Sequence, residues 1–285
     1  MKKKLLITDL DDTLYNWISF FIPSFYAMVD ELVNITGLNK TILLKEYKEK
    51  HQYYGSVEYP FITLKLPSIL SKYEGKSEIE IKENLEEAFH RFNSVRKKTL
   101  KLFPNVQTTL EFLMSRGITI IGYTESSQEN GYYRLKKLGI NEYFKHIYVS
   151  ESSYNNNYSV SEKVKYVNKK KPNSDVLLNI CKEENYNIQE AIYVGDSLTK
   201  DIYMAAMAGI TSILVNYPKE QNDYYNLLVD ITSWTEEDFI REKQLKAIWR
   251  SNDMKPDYII TDFSELISII DWYYKYKRYN KGVDR

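Results

Sequence analysis

The chain has 285 residues, of which 43% are hydrophobic and 27% are charged, a composition typical of a globular protein with a buried core. Its 39 lysines and arginines balance 39 aspartates and glutamates, so no net charge attracts nucleic acid or an anionic membrane surface. The single cysteine, Cys181, excludes an intrachain disulfide and a cysteine-rich zinc site, and it favours a reducing compartment.

The amino-terminal segment begins with basic residues but does not continue as a secretion signal. Its apolar run, Leu5 to Ile7, is followed at once by Thr8 and Asp9, so no hydrophobic region of signal length is predicted. No later stretch is expected to span a bilayer, because none approaches the roughly 20 apolar residues that this requires. We therefore expect a cytoplasmic protein whose partners include neither nucleic acid nor a membrane.

The first hundred residues predict one short strand followed by helices. The apolar run Lys4 to Thr8 has the length of a strand and ends in carboxylates. Residues Ile18 to Ile35 carry apolar side chains at helical spacing, Gly37 ends that helix, and a polar helix is predicted from about Ser77 to Lys98. Because no strand pattern lies between Leu14 and Leu100, this block is predicted to be all-helical.

From Pro104 onward the pattern alternates between strands and helices. The predicted strands are Ile118 to Tyr123, His146 to Val149, Ala191 to Val194, Thr211 to Val215 and Tyr258 to Ile260. The predicted helices between and after them are Val106 to Arg116, Ser127 to Leu138, Ser174 to Glu184, Lys200 to Ala208 and Phe263 to Tyr274. This alternation predicts an α/β fold, a doubly wound parallel sheet covered by helices on both faces.

Polar side chains suited to phosphate chemistry follow several of these strands. In an open parallel sheet, ligands bind beyond the carboxyl ends of the strands, so these groups are expected to meet at one edge. They are Asp9, Asp11 and Thr13 after the first strand, Thr124 after the second, Asp196 and Asp201 after the strand Ala191 to Val194, and Lys171 upstream of it.

The carboxylates in this set require a compensating cation. Ionised carboxylates repel one another at close range and one lysine offsets one charge, so a divalent metal is predicted. All candidate ligands are oxygens, which favours Mg²⁺. Such a metal binds a phosphoryl oxygen and orients phosphorus for in-line attack. Asp9 and Asp11 lie two residues apart and project to the same side, so that one can attack phosphorus while the other handles protons.

Four segments resemble the signatures of the haloacid dehalogenase-like hydrolase superfamily. The first is Asp9-Leu10-Asp11-Asp12-Thr13-Leu14, and the second is Thr124 at the end of its strand. The third is Lys171-Pro172, in which Pro172 selects Lys171 over Lys170 and Lys169. The fourth is Gly195-Asp196-Ser197-Leu198-Thr199-Lys200-Asp201. They occur in the order that the family has, over roughly Lys4 to Val215.

The resemblance implies a Rossmann-like core with a helical cap domain inserted after the first signature. Residues 1–14 and 102–285 would form the catalytic core, and residues 15–101 would form the cap. Residues 219–254 would be an extra helical insertion in the core. Its amphipathic segment, Thr235 to Trp249, would either mediate self-association or cover the core, which leaves monomer and homodimer open.

The resemblance also implies a role for each site residue. Asp9 would be the nucleophile that forms an aspartyl-phosphate, and Asp11 would protonate the leaving oxygen and later activate water. Lys171 would balance charge on Asp9 and the transferring phosphoryl group. Phosphoryl-binding groups would be Thr13, Thr124, the backbone N–H of Glu125, and Lys171. Mg²⁺ would be bound by Asp9, the backbone carbonyl of Asp11, Asp196 and Asp201.

Two positions depart from the family pattern. Asp12 stands where glycine is more common, a variation that the family tolerates. Glu125 stands where asparagine, aspartate or a small residue is more usual, and its carboxylate would repel a nearby anion unless it points away. The second signature is therefore the weakest match.

The implied function is a Mg²⁺-dependent phosphatase of a small phosphorylated metabolite, either a nucleotide monophosphate or a sugar or glycolytic phosphate. A phosphosugar mutase of the same superfamily keeps every core signature and is an alternative. A dehalogenase uses the same nucleophile without a metal or a second acid, and Asp11, Thr13 and Asp201 argue against it. A catalytically impaired binding or scaffold protein is a further alternative, supported by Glu125 alone.

Overall fold

A parallel sheet organises the larger part of the chain, in a computed structural model that describes residues 2–59, 61–151, 161–218 and 223–270. Its strands are β1 (Leu5–Thr8), β2 (Thr119–Ser127), β3 (His146–Ser150), β4 (Val164–Val167), β5 (Ala191–Gly195), β6 (Thr211–Val215) and β7 (Tyr258–Ile260). The order across the sheet is β4-β3-β2-β1-β5-β6-β7, and every pair of neighbours is parallel. The predicted fold class is confirmed.

Helices account for most of the remaining described residues. In chain order they are α1 (Trp17–Thr36), α2 (Lys40–Tyr54), α3 (Pro67–Lys72), α4 (Glu78–Asn84), α5 (Glu86–Thr99), α6 (Val106–Ser115), α7 (Gly131–Lys137), α8 (Ser174–Glu183), α9 (Tyr203–Met207), α10 (Tyr224–Ile231) and α11 (Glu236–Ser251). The elements assigned within 16–101 are all helical, as the sequence predicts.

The strand that carries the first signature lies at the centre of the sheet. Leu5 of β1 pairs with Thr119 of β2 on one side and with Ala191 of β5 on the other. All four residues of β1 are buried, as a continuous apolar run requires when helices cover both faces of a parallel sheet. On one face, Leu177 and Ile180 of α8 belong to the same buried cluster as the strand residues. The carboxyl end of β1 is therefore held on both sides.

The described residues divide into two compact units. The sheet unit takes those within 1–15, 102–219 and 244–285, and the helical unit takes those within 16–101 and 220–243. This differs from the prediction that residues 219–254 form an insertion in the sheet core. The physical reason is a set of backbone contacts made by α10 and the residues after it within the helical unit. Tyr26, His51 and Gln52 donate hydrogen bonds to the carbonyl oxygens of Leu227, Ile231 and Trp234.

The longest helix of the helical unit, α1, has the length and apolar composition of a membrane span. The sequence pattern had not indicated such a stretch, because Pro23 and scattered polar residues interrupt its apolar run. Half of its most apolar window is buried inside the protein, and Phe25 packs edge-on against Tyr47 of α2 with ring centroids 4.8 Å apart. Core helices of soluble proteins have these same properties, so α1 is weak evidence for a membrane.

Several element boundaries differ from the predicted ones. The polar helix predicted from Ser77 to Lys98 is interrupted at Leu85 and forms α4 and α5, with the Asn84 side chain donating to the Glu80 carbonyl at 2.6 Å. Such side-chain bonds compete with regular helix hydrogen bonding. β4 and α10 were not predicted, and the helix predicted from Ser127 starts only at Gly131 because β2 continues to Ser127. The helix predicted from Phe263 to Tyr274 partly lies outside the described residues.

We expect the protein to lose stability in acid through His51. Its Nδ1–H donates to the Ile231 carbonyl at 2.6 Å, and its buried Nε2 has no hydrogen-bond partner among the described residues. Burial lowers the pKa of His51 to about 4 against the opposing effect of that bond. The unfolded chain therefore binds a proton more readily, and stability falls by on the order of 3 kcal/mol as pH drops from about 6.5 to 4.

Urea unfolding between pH 4 and 7 measures this contribution. In His51→Gln, whose amide can still donate to Ile231 but does not titrate, the acid slope should become shallower than in the wild type. The matched control is His90→Gln, since the His90 side chain is 63% exposed. Identical slopes for His51→Gln and the wild type would contradict the assignment.

Candidate active site

The turn that follows β1 presents the first signature at the sheet edge. Asp9 continues the strand pairing, because its N–H donates to the Val194 carbonyl at 2.8 Å. The chain then reverses, and the N–H of Asp12 donates to the Tyr15 carbonyl at 2.9 Å. Asp12 has a left-handed backbone, with φ of 56°. Glycine adopts this conformation most readily and aspartate tolerates it, which explains how Asp12 occupies a position where glycine is more common.

Three carboxylates meet beyond the ends of β1 and β5. Oxygen atoms of Asp9, Asp196 and Asp201 all lie within 4.8 Å of one another, and Asp196 is the exposed member of the three. The buried Asp201 carboxylate accepts hydrogen bonds from the Tyr193 hydroxyl at 2.8 Å and the Ser197 N–H at 3.1 Å, besides the one from Lys171 described below. The sequence prediction that these three aspartates meet at one sheet edge agrees with this geometry.

The close approach of Asp201 to the end of β5 requires glycine at position 195. A Cβ atom on Gly195 would lie 2.5 Å from Cγ of Asp201, which is shorter than real Cβ contacts. A single turn of π-helix, Leu198–Ile202, returns the chain to this point after β5. Such turns are frequent at functional sites. The glycine and the turn together determine where the Asp201 carboxylate lies.

Lys171 lies between the two buried carboxylates of this cluster. Its ammonium group donates to Asp9 Oδ1 at 2.5 Å and to Asp201 Oδ1 at 2.8 Å. The rings of Tyr123 and Tyr193 lie 4.8 and 5.7 Å from the same nitrogen, within cation–π range. Burial by itself lowers the pKa of Lys171, but the negative charges of Asp201 and Asp9 outweigh burial and raise it well above the ordinary value. Lys171 is therefore a fixed positive charge.

One lysine does not neutralise three carboxylates. Burial, reinforced by neighbouring carboxylates and opposed by Lys171, raises the pKa of Asp9 to about 7. The Asp196 side chain is exposed to solvent on one side, but protein atoms surround the rest of it. The resulting desolvation, and after it the negative charge of Asp201, raise the pKa of Asp196 well above the ordinary value. A divalent cation would relieve both effects, and carboxylate oxygens are the ligands that hard cations prefer. These residues fit a divalent cation.

Asp11 is held by a second group of residues. Its Oδ1 accepts from Arg134 Nη1 at 2.6 Å, and its Oδ2 accepts from the Ser126 hydroxyl at 2.8 Å and the Thr124 hydroxyl at 3.3 Å. The family resemblance implies that the backbone carbonyl of Asp11, and not its carboxylate, binds the metal ion, and this role stays a prediction. The Thr13 hydroxyl lies beside Asp9 and donates to its Oδ2 at 3.3 Å.

The unusual Glu125 is paired with a cation. Its Oε2 accepts from Lys200 Nζ at 2.7 Å and its Oε1 accepts from the backbone N–H of Lys171 at 3.1 Å. Burial lowers the pKa of Lys200, but the charge and hydrogen bond of Glu125 outweigh burial and raise it. Glu125 thus connects the second, third and fourth signatures, and Lys200 compensates the charge that would repel an anion. Its role in phosphoryl binding stays a prediction.

Four residues of this site were not singled out from the sequence. They are Ser126, Arg134, Tyr193 and Lys200. Tyr193 lies two residues before Gly195 in β5, and residues two apart in a strand lie on the same face of the sheet. This spacing is the sequence signal that could have placed Tyr193 beside the site. A single arginine on an amphipathic helix is usually predicted to be exposed to solvent. Nothing in the sequence next to Arg134 therefore indicates that it belongs to the site.

The model of the haloacid dehalogenase-like hydrolase family matches residues 6–215 of this chain. The glyceraldehyde 3-phosphate phosphatase of Methanopyrus kandleri is 25% identical over 222 residues, covering 77% of this chain and 86% of the relative. The enzyme of the same name from Methanocaldococcus jannaschii is 25% identical over 232 residues, covering 78% and 90%. The 2-haloacid dehalogenase structure from Pseudomonas syringae has a TM-score of 0.58 at 21% identity, covering 95% of this chain and 99% of that chain.

The seven-stranded parallel sheet with helices around it is a Rossmann-like fold, and the aspartates and Lys171 lie at the carboxyl edge of its central strands. With the family model matched over residues 6–215, the chain belongs to the haloacid dehalogenase-like hydrolases. It is an enzyme of that family, and the phosphatase relatives support phosphatase activity.

We expect Lys171→Met to destabilise the protein strongly at pH 8 without divalent cations. The substitution leaves Asp9 and Asp201 buried without their shared cation, and breaking such a pair costs about 3–5 kcal/mol. The loss should be smaller at pH 5.5, where Asp9 is protonated because its pKa is about 7. Urea unfolding at both pH values measures the difference.

Lys169→Met is the matched control, because Lys169 carries the same charge two residues away on an exposed side chain. An equal loss of stability in the two variants, or a loss in Lys171→Met that does not depend on pH, would contradict the assigned pairing.

Proposed function

We propose that this chain is a Mg²⁺-dependent phosphatase that hydrolyses a small phosphorylated metabolite through an aspartyl-phosphate on Asp9. The observation that carries the proposal is the buried Asp9 carboxylate, held by Lys171 at 2.5 Å within a cluster of oxygen ligands. This arrangement supplies a nucleophile, a fixed positive charge and a place for a cation at one point. Phosphoryl transfer depends mainly on positioning and on charge stabilisation of this kind.

In the first half of the reaction, an Asp9 oxygen attacks phosphorus and the bond from phosphorus to the leaving oxygen breaks. Asp11 donates its proton to that oxygen, so that the product leaves as an alcohol. Lys171 stabilises the negative charge on the phosphoryl group. The Thr13 and Thr124 hydroxyls and the N–H of Glu125 are proposed to orient the same oxygens.

In the second half, Asp11 takes a proton from a water molecule, whose oxygen attacks phosphorus. The bond between Asp9 and phosphorus breaks and inorganic phosphate leaves. The proton that Asp11 lost in the first half is thereby replaced. One carboxylate thus acts as acid and then as base, which requires that it stay close to both reacting oxygens.

Mg²⁺, when bound by Asp9, Asp196, Asp201 and the backbone carbonyl of Asp11, supplies positive charge to a phosphoryl oxygen and fixes its orientation. The chemistry of the donors supports this ion, since all of them are oxygens. Asp201 would act directly or through water, because Lys171 and Tyr193 already occupy its Oδ1.

A three-carbon sugar phosphate is the first substrate to test. Two relatives named glyceraldehyde 3-phosphate phosphatase match more than three quarters of this chain. At 25% identity they support the class of small phosphorylated metabolites, and nucleotide monophosphates belong in the same panel. Colorimetric measurement of released phosphate across that panel tests the proposal.

Product analysis of the same reactions, with a 2-haloacid added to the panel, separates two other enzyme classes. A phosphosugar mutase would convert a sugar phosphate without releasing phosphate, and a dehalogenase would release halide from a 2-haloacid without Mg²⁺. Asp11, held by hydroxyl and guanidinium donors, favours a reaction that moves protons, which argues against the dehalogenase. A cytoplasmic location and a monomeric or homodimeric state are part of the proposal and rest on the sequence.

We expect Asp9→Asn and Asp11→Asn to fail at different steps. Asn at position 9 cannot attack phosphorus, so no phosphoenzyme forms. Asn at position 11 keeps the nucleophile, and 4-nitrophenyl phosphate needs little protonation of its leaving oxygen. Its phosphoenzyme should therefore form and then hydrolyse about 10²–10⁴-fold more slowly than in the wild type. Intact-protein mass spectrometry after brief exposure to the substrate detects one added phosphoryl group.

The control is Asp253→Asn, which removes an exposed carboxylate of the sheet unit and should behave as the wild type. An Asp9→Asn protein that still gains the phosphoryl mass, or that turns over near the wild-type rate, would overturn the mechanism.

We also expect hydrolysis of 4-nitrophenyl phosphate to require Mg²⁺ and to be suppressed by Ca²⁺. Both ions prefer oxygen ligands, but Ca²⁺ takes more ligands at longer distances, which disturbs a compact in-line geometry. Steady-state rates after chelation, and after adding back each ion, measure this requirement. Full turnover in the chelated protein would refute the proposed metal.

A further inference from the structure

An arginine is buried beside the proposed acid–base group. Arg134 lies on α7 with a side chain that is only 2% exposed, whereas Lys136 and Lys137 on the same helix are exposed. Its Nη1 donates to Asp11 Oδ1 at 2.6 Å and to the Ser126 hydroxyl at 3.3 Å. A buried guanidinium is costly unless it is paired, so this placement requires Asp11.

The position of Arg134 follows from close packing at the start of α7. A Cβ atom on Gly131 would lie 3.1 Å from Cγ2 of Thr124, so the helix begins tightly against the end of β2. Arg134 comes one helical turn later and faces the first signature. The fully buried Tyr15 phenol lies near both Arg134 and Asp11, whose charges act on it in opposite directions. The guanidinium is thus held by the body of the fold.

The donors divide the two oxygens of Asp11 between them. Arg134 binds Oδ1, whereas the hydroxyls of Ser126 and Thr124 bind Oδ2. Of these three donors Arg134 is the cation and makes the shortest hydrogen bond, so it contributes most to holding the carboxylate. The Asp11 side chain nevertheless remains 24% exposed, which leaves it accessible to a substrate or a water molecule.

We propose that Arg134 is a positioning residue for Asp11. Together with Ser126 it fixes the orientation of the Asp11 carboxylate, so that the same oxygen is presented first to the leaving group and then to the attacking water. The inference rests on the proposed function, in which Asp11 moves a proton in both half-reactions. A small change in the orientation of such a group reduces rates without removing the group itself.

The first arm of the test measures position and needs no activity. Crystal structures of the wild type and of Arg134→Met, which has similar length but no charge, are compared at the Asp11 carboxylate. We expect one Asp11 conformer in the wild type and a displaced or divided one in Arg134→Met. Ser126→Ala removes a single neutral donor and serves as a second, milder variant if Arg134→Met folds poorly. An unmoved Asp11 in the variants overturns the inference whatever their activity.

The second arm measures the reaction with Mg²⁺ present. For 4-nitrophenyl phosphate, we expect Arg134→Met to lower kcat about 10–100-fold with little change in KM, and the phosphoenzyme to accumulate because its hydrolysis slows. Arg134→Lys, which keeps a positive donor, should recover part of the rate. Lys136→Met removes one charge from the exposed side of the same helix and should match the wild type.

The two arms separate the possible failures. A merely structural role for Arg134 would lower the amount of active protein, with no accumulation of phosphoenzyme and no recovery in Arg134→Lys, and this result would overturn the inference. Unchanged kinetics in a variant whose Asp11 has moved would overturn it as well. A wild type that hydrolyses no phosphomonoester, with Asp11 displaced in Arg134→Met, would refute the proposed function and support the positioning of Asp11 by Arg134.

Discussion

Three carboxylates that lie within 4.8 Å of one another repel, and much of the sheet edge is arranged to offset that repulsion. Two unit charges at such a distance interact by about 3–4 kcal/mol at an effective dielectric constant near 20. Lys171 is buried between two of the three, with aromatic rings and a tyrosine hydroxyl around it. Gly195 leaves room for Asp201 to approach. Each of these features accommodates the negative charges of the three carboxylates.

The same logic extends to the rest of the site, which is assembled from ion pairs. Lys171 pairs with Asp9 and Asp201, Lys200 with Glu125, and Arg134 with Asp11. With Asp196 included, these eight residues carry two more negative charges than positive ones when all are ionised, and one divalent cation balances that excess. Glu125, the departure from the family pattern, is thus part of the charge arrangement because Lys200 accompanies it.

The parts of this structure that could be predicted were those that depend on residues adjacent in the sequence. Continuous apolar runs marked the buried strands, and carboxylates directly after two of them, Asp9 and Asp196, marked the site. What escaped prediction depends on contacts between distant residues. The sequence of α10 alone predicts part of an insertion, and its place in the helical unit follows from the hydrogen bond between His51 and the Ile231 carbonyl. The sequence around Arg134 does not distinguish it from its exposed neighbours, and its burial follows from the packing of α7 against β2. The four-residue edge strand β4 pairs with β3, but only Val164 of its residues is buried, so its hydrophobic pattern is weak.

The central position of β1 in the sheet affects how the protein folds during its synthesis. Asp9 directly follows β1, yet both strands that flank β1 come more than a hundred residues later in the chain. Closing such long loops costs entropy before any contact compensates for it, so pairing of β1 on both sides is a late event in folding. Lys171 is synthesised between β2 and β5, and Asp201 is synthesised after β5. A nascent chain therefore carries Asp9 through the synthesis of more than 150 further residues before Lys171 and Asp201 are present to surround it.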